Sequence, residues 1–344
     1  MQTETAPMKP PRQAWAFLAL VMALNLTIGS VQSFSFWKIG FFRYFLACHM
    51  ASVPEGDANA WNSDAPLARM QEKGEPAEAC WNHNSLSTLY SWAIFGGFFC
   101  ITPGIIFDRC GPRTTVAYGL VLVNVGFVGI FILLGSGGAP PAALVGFFYF
   151  LEEQGGASAL YMTNVCLLVR AFPPHLIGFV SGLGVTTYGL SGLFWQHVAT
   201  AAFGFTSDTA AADTNLVGLL FTLLLVTDVL GVVLLMTVSR VLAAVEEVSS
   251  EDVAMGAGAR APPLEKSLCT WEFMSCITLY CVVPAQVIGM NSYLSSIPTA
   301  FKGLSSDVFT PIAFLANVGG RVICAVAVDT LSSYSGKAGV AAGN

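Results

Sequence analysis

Long apolar runs separated by shorter polar segments dominate the chain. Each run is about 20 residues long, the length that a helix needs to cross a hydrocarbon core of roughly 30 Å. Eight such runs predict eight membrane-spanning helices: residues 14–36, 86–107, 114–134, 142–168, 178–197, 215–238, 271–294 and 308–328. The pattern therefore predicts an all-α fold, a polytopic bundle of membrane helices.

Polar segments divide the chain between these runs. Residues 1–13 form a polar tail that contains prolines, and residues 41–85 form a long outward loop rich in Glu, Asp, Asn and Pro. Residues 239–269 combine acidic side chains with Gly and Pro, which predicts a flexible cytoplasmic linker. Residues 14–238 would be a six-helix half and residues 270–344 a partial second half with two helices. We expect such a chain to be part of a longer one, or to work with a complement.

Basic residues predict how the helices are oriented. Those in the short segments fall mainly on one side: Lys9, Arg12, Arg109, Arg113, Arg170, Arg240, Arg260 and Lys266, against Lys302 on the other. Because cytoplasmic loops are enriched in Lys and Arg, the N-terminus is predicted to lie in the cytoplasm. The plasma membrane is the expected location for a protein of this class.

The composition agrees with a membrane protein and argues against several other classes. The chain is 54% hydrophobic and only 10% charged, with a mean hydropathy of +0.65. The net charge of −6 comes partly from acids in one loop and the linker, so binding to nucleic acid is not expected. Neither a nucleophile beside a base nor a phosphate-cradling loop is visible, so we expect no enzyme activity and no cofactor. The expected partners are the lipid bilayer and a small-molecule substrate.

Cysteines are scattered along the chain, nine in all, without the spacing of a metal site. Most lie within apolar runs, where a thiol behaves as a small hydrophobic group. Cys48 and Cys80 differ because they bracket the outward loop. If that loop faces an oxidising compartment, the two form a disulfide; otherwise they are free thiols.

A charged turn joins the second and third runs. An Asp and two Arg lie within six residues, so the turn is predicted at the cytoplasmic face, away from hydrocarbon. Its spacing of glycine, acid and basic residues resembles the loop between helices 2 and 3 of the major facilitator superfamily. The resemblance implies two helix bundles that rock about a midplane site. It also implies a gating role for Gly104, Asp108, Arg109, Gly111 and Arg113, in which Asp108 links helix ends and Gly104 lets helices approach closely.

A second resemblance covers much of the chain, from about residue 20 to 330. The run Gly-Gly-Ala-Ser-Ala-Leu-Tyr161-Met-Thr163-Asn164, and the run from Gly178 to Tyr188, resemble spans 4 and 5 of the facilitative large-neutral amino-acid transporters. Apicomplexan amino-acid transporters are similar as well. The resemblance implies that the chain moves amino acids, neutral or cationic, by alternating access.

Charged side chains within the runs are candidates for substrate binding. Glu152 and Glu153 lie about ten residues into the fourth run, near the middle of the bilayer. Since successive helical side chains point about 100° apart, one is expected to face a central cavity and the other to find a helix partner or a proton. Arg321 could clamp a substrate carboxylate with its planar fork, or simply pair with Asp329 or Asp228. For Asp228 itself we expect an ion pair or a protonated acid.

Neutral polar groups within the runs could complete the site by hydrogen bonding. The candidates are Gln32, Ser33, Tyr161, Asn164, Tyr188, Gln286 and Asn291. Taken singly, each is equally well explained as a contact that holds helices together.

Two other functions stay open from the sequence. The chain could be a permease for a monocarboxylate, a sugar or another metabolite, proton-coupled through Glu152 or Glu153. It could also be a truncated remnant that does not transport and acts as a scaffold or partner.

Overall fold

The computed structural model describes residues 12–29, 83–136, 140–173, 176–205 and 215–253, with positions 312, 315, 316, 319–321 and 323. Within these residues every regular element is a helix, as predicted. Several predictions lie outside them: the pairing of Cys48 with Cys80, the seventh span, and the site residues Gln32, Ser33, Gln286 and Asn291.

Eight α-helices follow one another along the described chain. They are α1 Arg12–Ile28, α2 His83–Phe98, α3 Ile101–Cys110, α4 Pro112–Gly135, α5 Ala142–Glu153, α6 Tyr161–Ala171, α7 Ile177–Phe203 and α8 Leu216–Val253. A π-helical segment, Gln154–Leu160, joins α5 to α6 without a break in the helix. We call it the π segment. Together these elements account for the first six predicted spans.

Helix lengths agree with a chain that crosses a membrane. Among the described residues, four segments are long and apolar enough to do so: Thr88–Cys110, Pro112–Gly135, Ile177–Phe203 and Leu216–Val241. Thr88–Cys110 combines most of α2 with α3, which are separated at Phe99 and Cys100. Pro103 lacks a backbone N–H and so favours this interruption. The chain is therefore an integral membrane protein. Beyond the predicted span, α8 continues to Val253, so the first part of the predicted linker is helical.

The apolar side chains of α4 show how the helices are placed. One face is exposed and carries Val121, Val125, Val128 and Ile132. The other face is buried and includes Val123, Phe127 and Ile130. Because both faces are apolar, the exposed one suits lipid and the buried one packs within the bundle.

Close packing against α4 sets the position of α5 and the π segment. A Cβ added at Gly126 would lie 2.7 Å from the Cβ and the backbone nitrogen of Glu152. A Cβ at Gly119 would lie 3.0 Å from the carbonyl oxygen of Gly155, in the π segment. Small residues at both positions let the two backbones approach, as is common between membrane helices. On its other side, α5 packs against α2, and α1 packs against α7.

Candidate functional site

The two predicted midplane acids, Glu152 and Glu153, lie together at the end of α5. Their side chains are 3% and 1% exposed. Oε2 of Glu152 and Oε1 of Glu153 have no hydrogen-bond partner among the described residues. Both acids are thus buried, and each has a carboxyl oxygen that the described residues leave without a partner.

Glycines and phenols surround this acid pair. A Cβ added at Gly97 of α2 would lie 3.8 Å from Oε2 of Glu153, and one at Gly156 would lie 3.9 Å from Oε1 of Glu152. The phenols of Tyr90 and Tyr149 lie within electrostatic range of the pair. Within the described part of the chain, no basic side chain forms an ion pair with either carboxyl group.

Two predicted site residues, Tyr161 and Tyr188, form an aromatic pair between α6 and α7. Their ring centroids are 4.5 Å apart and the rings are tilted by 39°. Both side chains are half-buried. Tyr149 of α5 is 4% exposed and therefore lies inside the bundle.

Arg321, from the eighth predicted span, lies against the middle of α7. Its Nη1 donates a hydrogen bond to the carbonyl oxygen of Val185 at 2.8 Å. The guanidinium carbon would be 3.3 Å from a Cβ added at Gly189, so the glycine makes room for it. Val185 and Gly189 are one helical turn apart and flank Tyr188. The predicted carboxylate clamp therefore contacts the same stretch of α7 that carries Tyr188.

Asn164 holds three helices together. Its Nδ2 donates to Oδ1 of Asn25 at 2.8 Å, and Nδ2 of Asn25 donates to the carbonyl oxygen of Gly184 at 2.9 Å. Both asparagines are fully buried, and Oδ1 of Asn164 has no partner among the described residues. The side chain of Asn164 thus links α6 to α1, and that of Asn25 links α1 to α7. Asn25 was missed from the sequence, although an amide inside an apolar run is an available signal.

The charged turn between α3 and α4 is built on Gly111. This residue has φ = 84°, a conformation that favours glycine, and its carbonyl oxygen accepts a bond from Oγ1 of Thr115 at 3.1 Å. Asp108, Arg109 and Arg113 are all exposed. No hydrogen bond or ion pair of Asp108 occurs within the described ranges, so the predicted link between helix ends is not seen there.

At Gly104 the described part of the chain shows no close approach of another helix, so its packing role stays a prediction. A Cβ added there would meet no atom within 4 Å in the described part of the chain. The helices come close at Gly96, Gly119 and Gly126 instead, where an added Cβ would overlap a neighbouring helix. Whether the turn takes part in gating stays a prediction.

A contact that the sequence did not suggest joins α6 to the same end of the bundle. The guanidinium carbon of Arg170, in the last turn of α6, lies 5.2 Å from the centre of the Phe107 ring in α3. Phe107 is 7% exposed, so its ring presents a face within the packed end of the bundle. This geometry is that of a cation–π interaction.

Asp228 makes a hydrogen bond within the bundle. Nδ2 of Asn124 in α4 donates to its Oδ1 at 2.8 Å, and the same nitrogen donates to the carbonyl oxygen of Leu120 at 2.9 Å. Among the described residues the partner of this acid is therefore an amide. No ion pair of Asp228 is seen there, and the alternative of a protonated acid stays a prediction. As for metals, no cluster of three or more His, Cys, Asp or Glu that could hold an ion occurs in the described ranges.

Comparison with known proteins identifies the fold. The sequence matches no protein-family model and no curated protein sequence. Among solved structures it is similar to XylE, a proton:xylose symporter of the major facilitator superfamily bound to 6-bromo-6-deoxy-D-glucose. The TM-score is 0.55 at 16% sequence identity, over 92% of this chain and 69% of the XylE chain. The chain therefore has the fold of the major facilitator superfamily, and the predicted fold class is confirmed.

Proposed function

We propose that the chain belongs to a membrane transporter that moves amino acids by alternating access. The observation that carries this proposal is that Arg321 and the Tyr161–Tyr188 pair both lie against the same stretch of α7, residues 185–189. An amino acid brings a carboxylate and an ammonium group, and both lose water on binding. A site for it needs one group for each charge, and these three side chains can supply both.

Arg321 would bind the substrate carboxylate. Arginine stays protonated in proteins, and its planar fork matches the two oxygens of a carboxylate. The contact with Val185 fixes the guanidinium against α7, beside Tyr188. Such fixing reduces the conformational entropy that an arginine loses when it binds a ligand.

The two tyrosine rings would bind the substrate ammonium group. A cation over the face of an aromatic ring is stabilised by about 0.5–2 kcal/mol, depending on how much water is excluded. Tyr161 and Tyr188 come from different helices, and Arg321 comes from a span of the predicted second half. A substrate that contacts all three side chains would connect these elements. If these contacts are better in one conformation of the transporter than in the other, the substrate shifts the outward–inward equilibrium.

Uptake into liposomes tests this function. The full chain is reconstituted and offered labelled neutral and cationic amino acids, with xylose and lactate as comparisons. We expect saturable amino-acid uptake that Arg321→Gln abolishes while membrane insertion stays intact. Arg240→Gln is the matched control, because Arg240 is exposed near the end of the apolar segment of α8, Leu216–Val241, and should be dispensable. Unaltered substrate binding by the Arg321→Gln protein would remove Arg321 from the site.

A second candidate is a permease for a sugar, a monocarboxylate or another metabolite, coupled to protons. Two observations favour it: the buried acid pair Glu152–Glu153, and the similarity in fold to a proton:xylose symporter. The same liposomes separate the two functions when a proton gradient is imposed. Amino-acid flux that ignores the gradient supports the first, and gradient-driven uptake of xylose or lactate supports the second. No flux of any of these compounds would favour a non-transporting protein.

A further inference from the structure

A groove separates α4 from α8 at the end of the bundle away from the charged turn. Elsewhere the two helices are in close contact: Nδ2 of Asn124 donates to Oδ1 of Asp228, and a Cβ added at Gly231 would overlap the side chain of Leu120. About three turns beyond Asn124 along α4, a Cβ added at Gly135 would meet no described atom within 4 Å. The helices therefore diverge towards this end and leave space between them.

Large apolar side chains line the groove. Phe131 and Leu134 come from α4, and Val217 and Phe221 come from α8. The groove has a volume of about 520 Å³, and none of the described residues that line it carries a charge. Ligand pockets in proteins have volumes of roughly 300–1,000 Å³. The groove is thus large enough for a ligand, and its lining suits an apolar, uncharged one.

One polar residue, Asn215, lines the groove where α8 begins. Its Oδ1 accepts a hydrogen bond from the backbone N–H of Gly218 at 2.7 Å, and its own backbone N–H donates to the carbonyl oxygen of Phe203 at 3.0 Å. These two bonds hold the residue in place. The side chain is exposed, and its Nδ2 makes no hydrogen bond among the described residues. An amide has two N–H groups on this nitrogen, so the groove has donors at one end.

The groove is continuous with the surface that the bundle presents to lipid. Ile132, beside it on α4, is 67% exposed, and Phe221 in its wall is 57% exposed. Two membrane-spanning segments form the walls, Pro112–Gly135 and Leu216–Val241, and the groove lies where the first ends and the second begins. Because Asn215 directly precedes the second segment, it lies at the level where lipid headgroups meet the acyl chains.

We propose that this groove binds one acyl chain of a membrane phospholipid, and that an ester or phosphate oxygen of the same lipid accepts a hydrogen bond from Asn215. A phospholipid matches both parts of the groove, because its chain is apolar and its acceptor oxygens lie at the membrane surface. A water-soluble solute would find a single polar side chain in an apolar lining. The bound lipid fills the space between α4 and α8. This site does not depend on the proposed transport function.

Photolabelling of the full chain in vesicles tests the site. The purified protein is reconstituted into phosphatidylcholine vesicles that contain a trace of phosphatidylcholine with a photoactivatable diazirine in one acyl chain. After irradiation and proteolysis, mass spectrometry locates the labelled residues. We expect strong labelling of Phe131, Leu134 and Phe221. Labelling should be much weaker at Val125 and Val229, which are exposed apolar residues of the same two helices outside the groove.

Gly135→Leu should fill the groove, because a side chain added at Gly135 extends into open space. Labelling of the groove residues should then fall to the level seen at Val229, while labelling of the exposed faces stays unchanged. Val125→Phe is the matched control, since it adds bulk to the exposed face of the same helix. Its groove should be labelled as strongly as that of the wild type. Full labelling of the groove in Gly135→Leu would contradict the proposal.

Asn215→Asp tests the polar end of the groove separately. Aspartate keeps the oxygen that accepts from the N–H of Gly218, and its negative charge suits the start of a helix, but it has no N–H to donate. Mass spectrometry measures the phospholipid that stays with the protein through chromatography in a mild detergent. We expect the wild type and Val125→Phe to retain phospholipid, and Asn215→Asp and Gly135→Leu to lose it.

The labelling map of the wild type decides the proposal even if Gly135→Leu fails to fold. Labels spread evenly over the exposed faces and the groove would overturn it, because the groove would then be no different from the rest of the lipid-facing surface. An unlabelled groove would also overturn it and would mean that another segment of the chain, or a second copy, occupies the space. Equal retention of phospholipid by Asn215→Asp and the wild type would contradict the role of the amide.

Discussion

The guanidinium carbon of Arg170 lies 5.2 Å from the centre of the Phe107 ring, and this contact joins α6 to α3. Both residues lie at the end of the bundle that carries the charged turn. Phe107 immediately precedes Asp108, so the contact connects the last turn of α6 with the start of the charged turn. The contact also connects the fourth predicted span, which contains the acid pair and Tyr161, with the second.

Removal of this cation should loosen that end of the bundle. We expect Arg170→Gln to destabilise the folded protein by about 0.5–1 kcal/mol, the range for a partly exposed cation–π interaction. Arg170→Lys keeps the charge and should lose less. Unfolding of the purified protein in mixed micelles measures the difference. Equal stability of the Gln variant and the wild type would show that the contact contributes nothing.

The exposed acid of the turn should act on the rate of cycling more than on affinity. Asp108 makes no contact with the described candidate residues for substrate, and it lies in the turn whose pattern implies gating. We expect Asp108→Asn to lower turnover about tenfold, equivalent to about 1.4 kcal/mol, while KM stays nearly constant. Initial rates of uptake over a range of substrate concentrations give both constants. Normal turnover would contradict the gating role.

The buried amides of Asn25 and Asn164 should depend on each other. Hydrogen bonds between membrane helices contribute about 0.6 kcal/mol on average and up to about 1.7 kcal/mol. We expect Asn25→Ala and Asn164→Ala each to destabilise the protein, and the double variant to be more stable than the sum of the two losses predicts. A double-mutant cycle measured by unfolding in mixed micelles gives the coupling. A coupling of zero would mean that the two amides act independently.

The spans were predictable from the sequence because their length and apolar character are set by the bilayer. The third predicted span, 114–134, differs little from α4, Pro112–Gly135. The end of α8 was not predictable in the same way, since the acidic residues after Val238 suit a helix as well as a linker. Gly111 was predictable as the turn residue, because a glycine followed by proline favours both the turn and the helix start.

The relationships within the site depend on how helices are rotated against one another, which apolar periodicity does not reveal. Glu152 and Glu153 were expected to diverge, because an α-helix separates neighbouring side chains by about 100°. Both side chains are buried, at the point where the helix changes to the π segment, and which of them faces a cavity stays a prediction. The pairing of Asn25 with Asn164 depends on the register between α1 and α6, which the sequence does not show. The absence of a close neighbour at Gly104 in the described part of the chain also depends on how the helices are placed.

The glycine contact between α4 and α5 should be the least tolerant of added volume. A Cβ at Gly126 would lie 2.7 Å from the Cβ and backbone nitrogen of Glu152, and neither atom can move without displacing α5. We expect Gly126→Ala to destabilise the protein by about 1–3 kcal/mol, the usual range for an overpacked core. Gly135→Ala is the matched control on the same helix, because a Cβ there meets no described atom within 4 Å. Unfolding midpoints of the two variants in mixed micelles give the comparison. Equal midpoints would show that α5 can shift away from α4, and the acid pair would then lie in a less rigid site than its burial indicates.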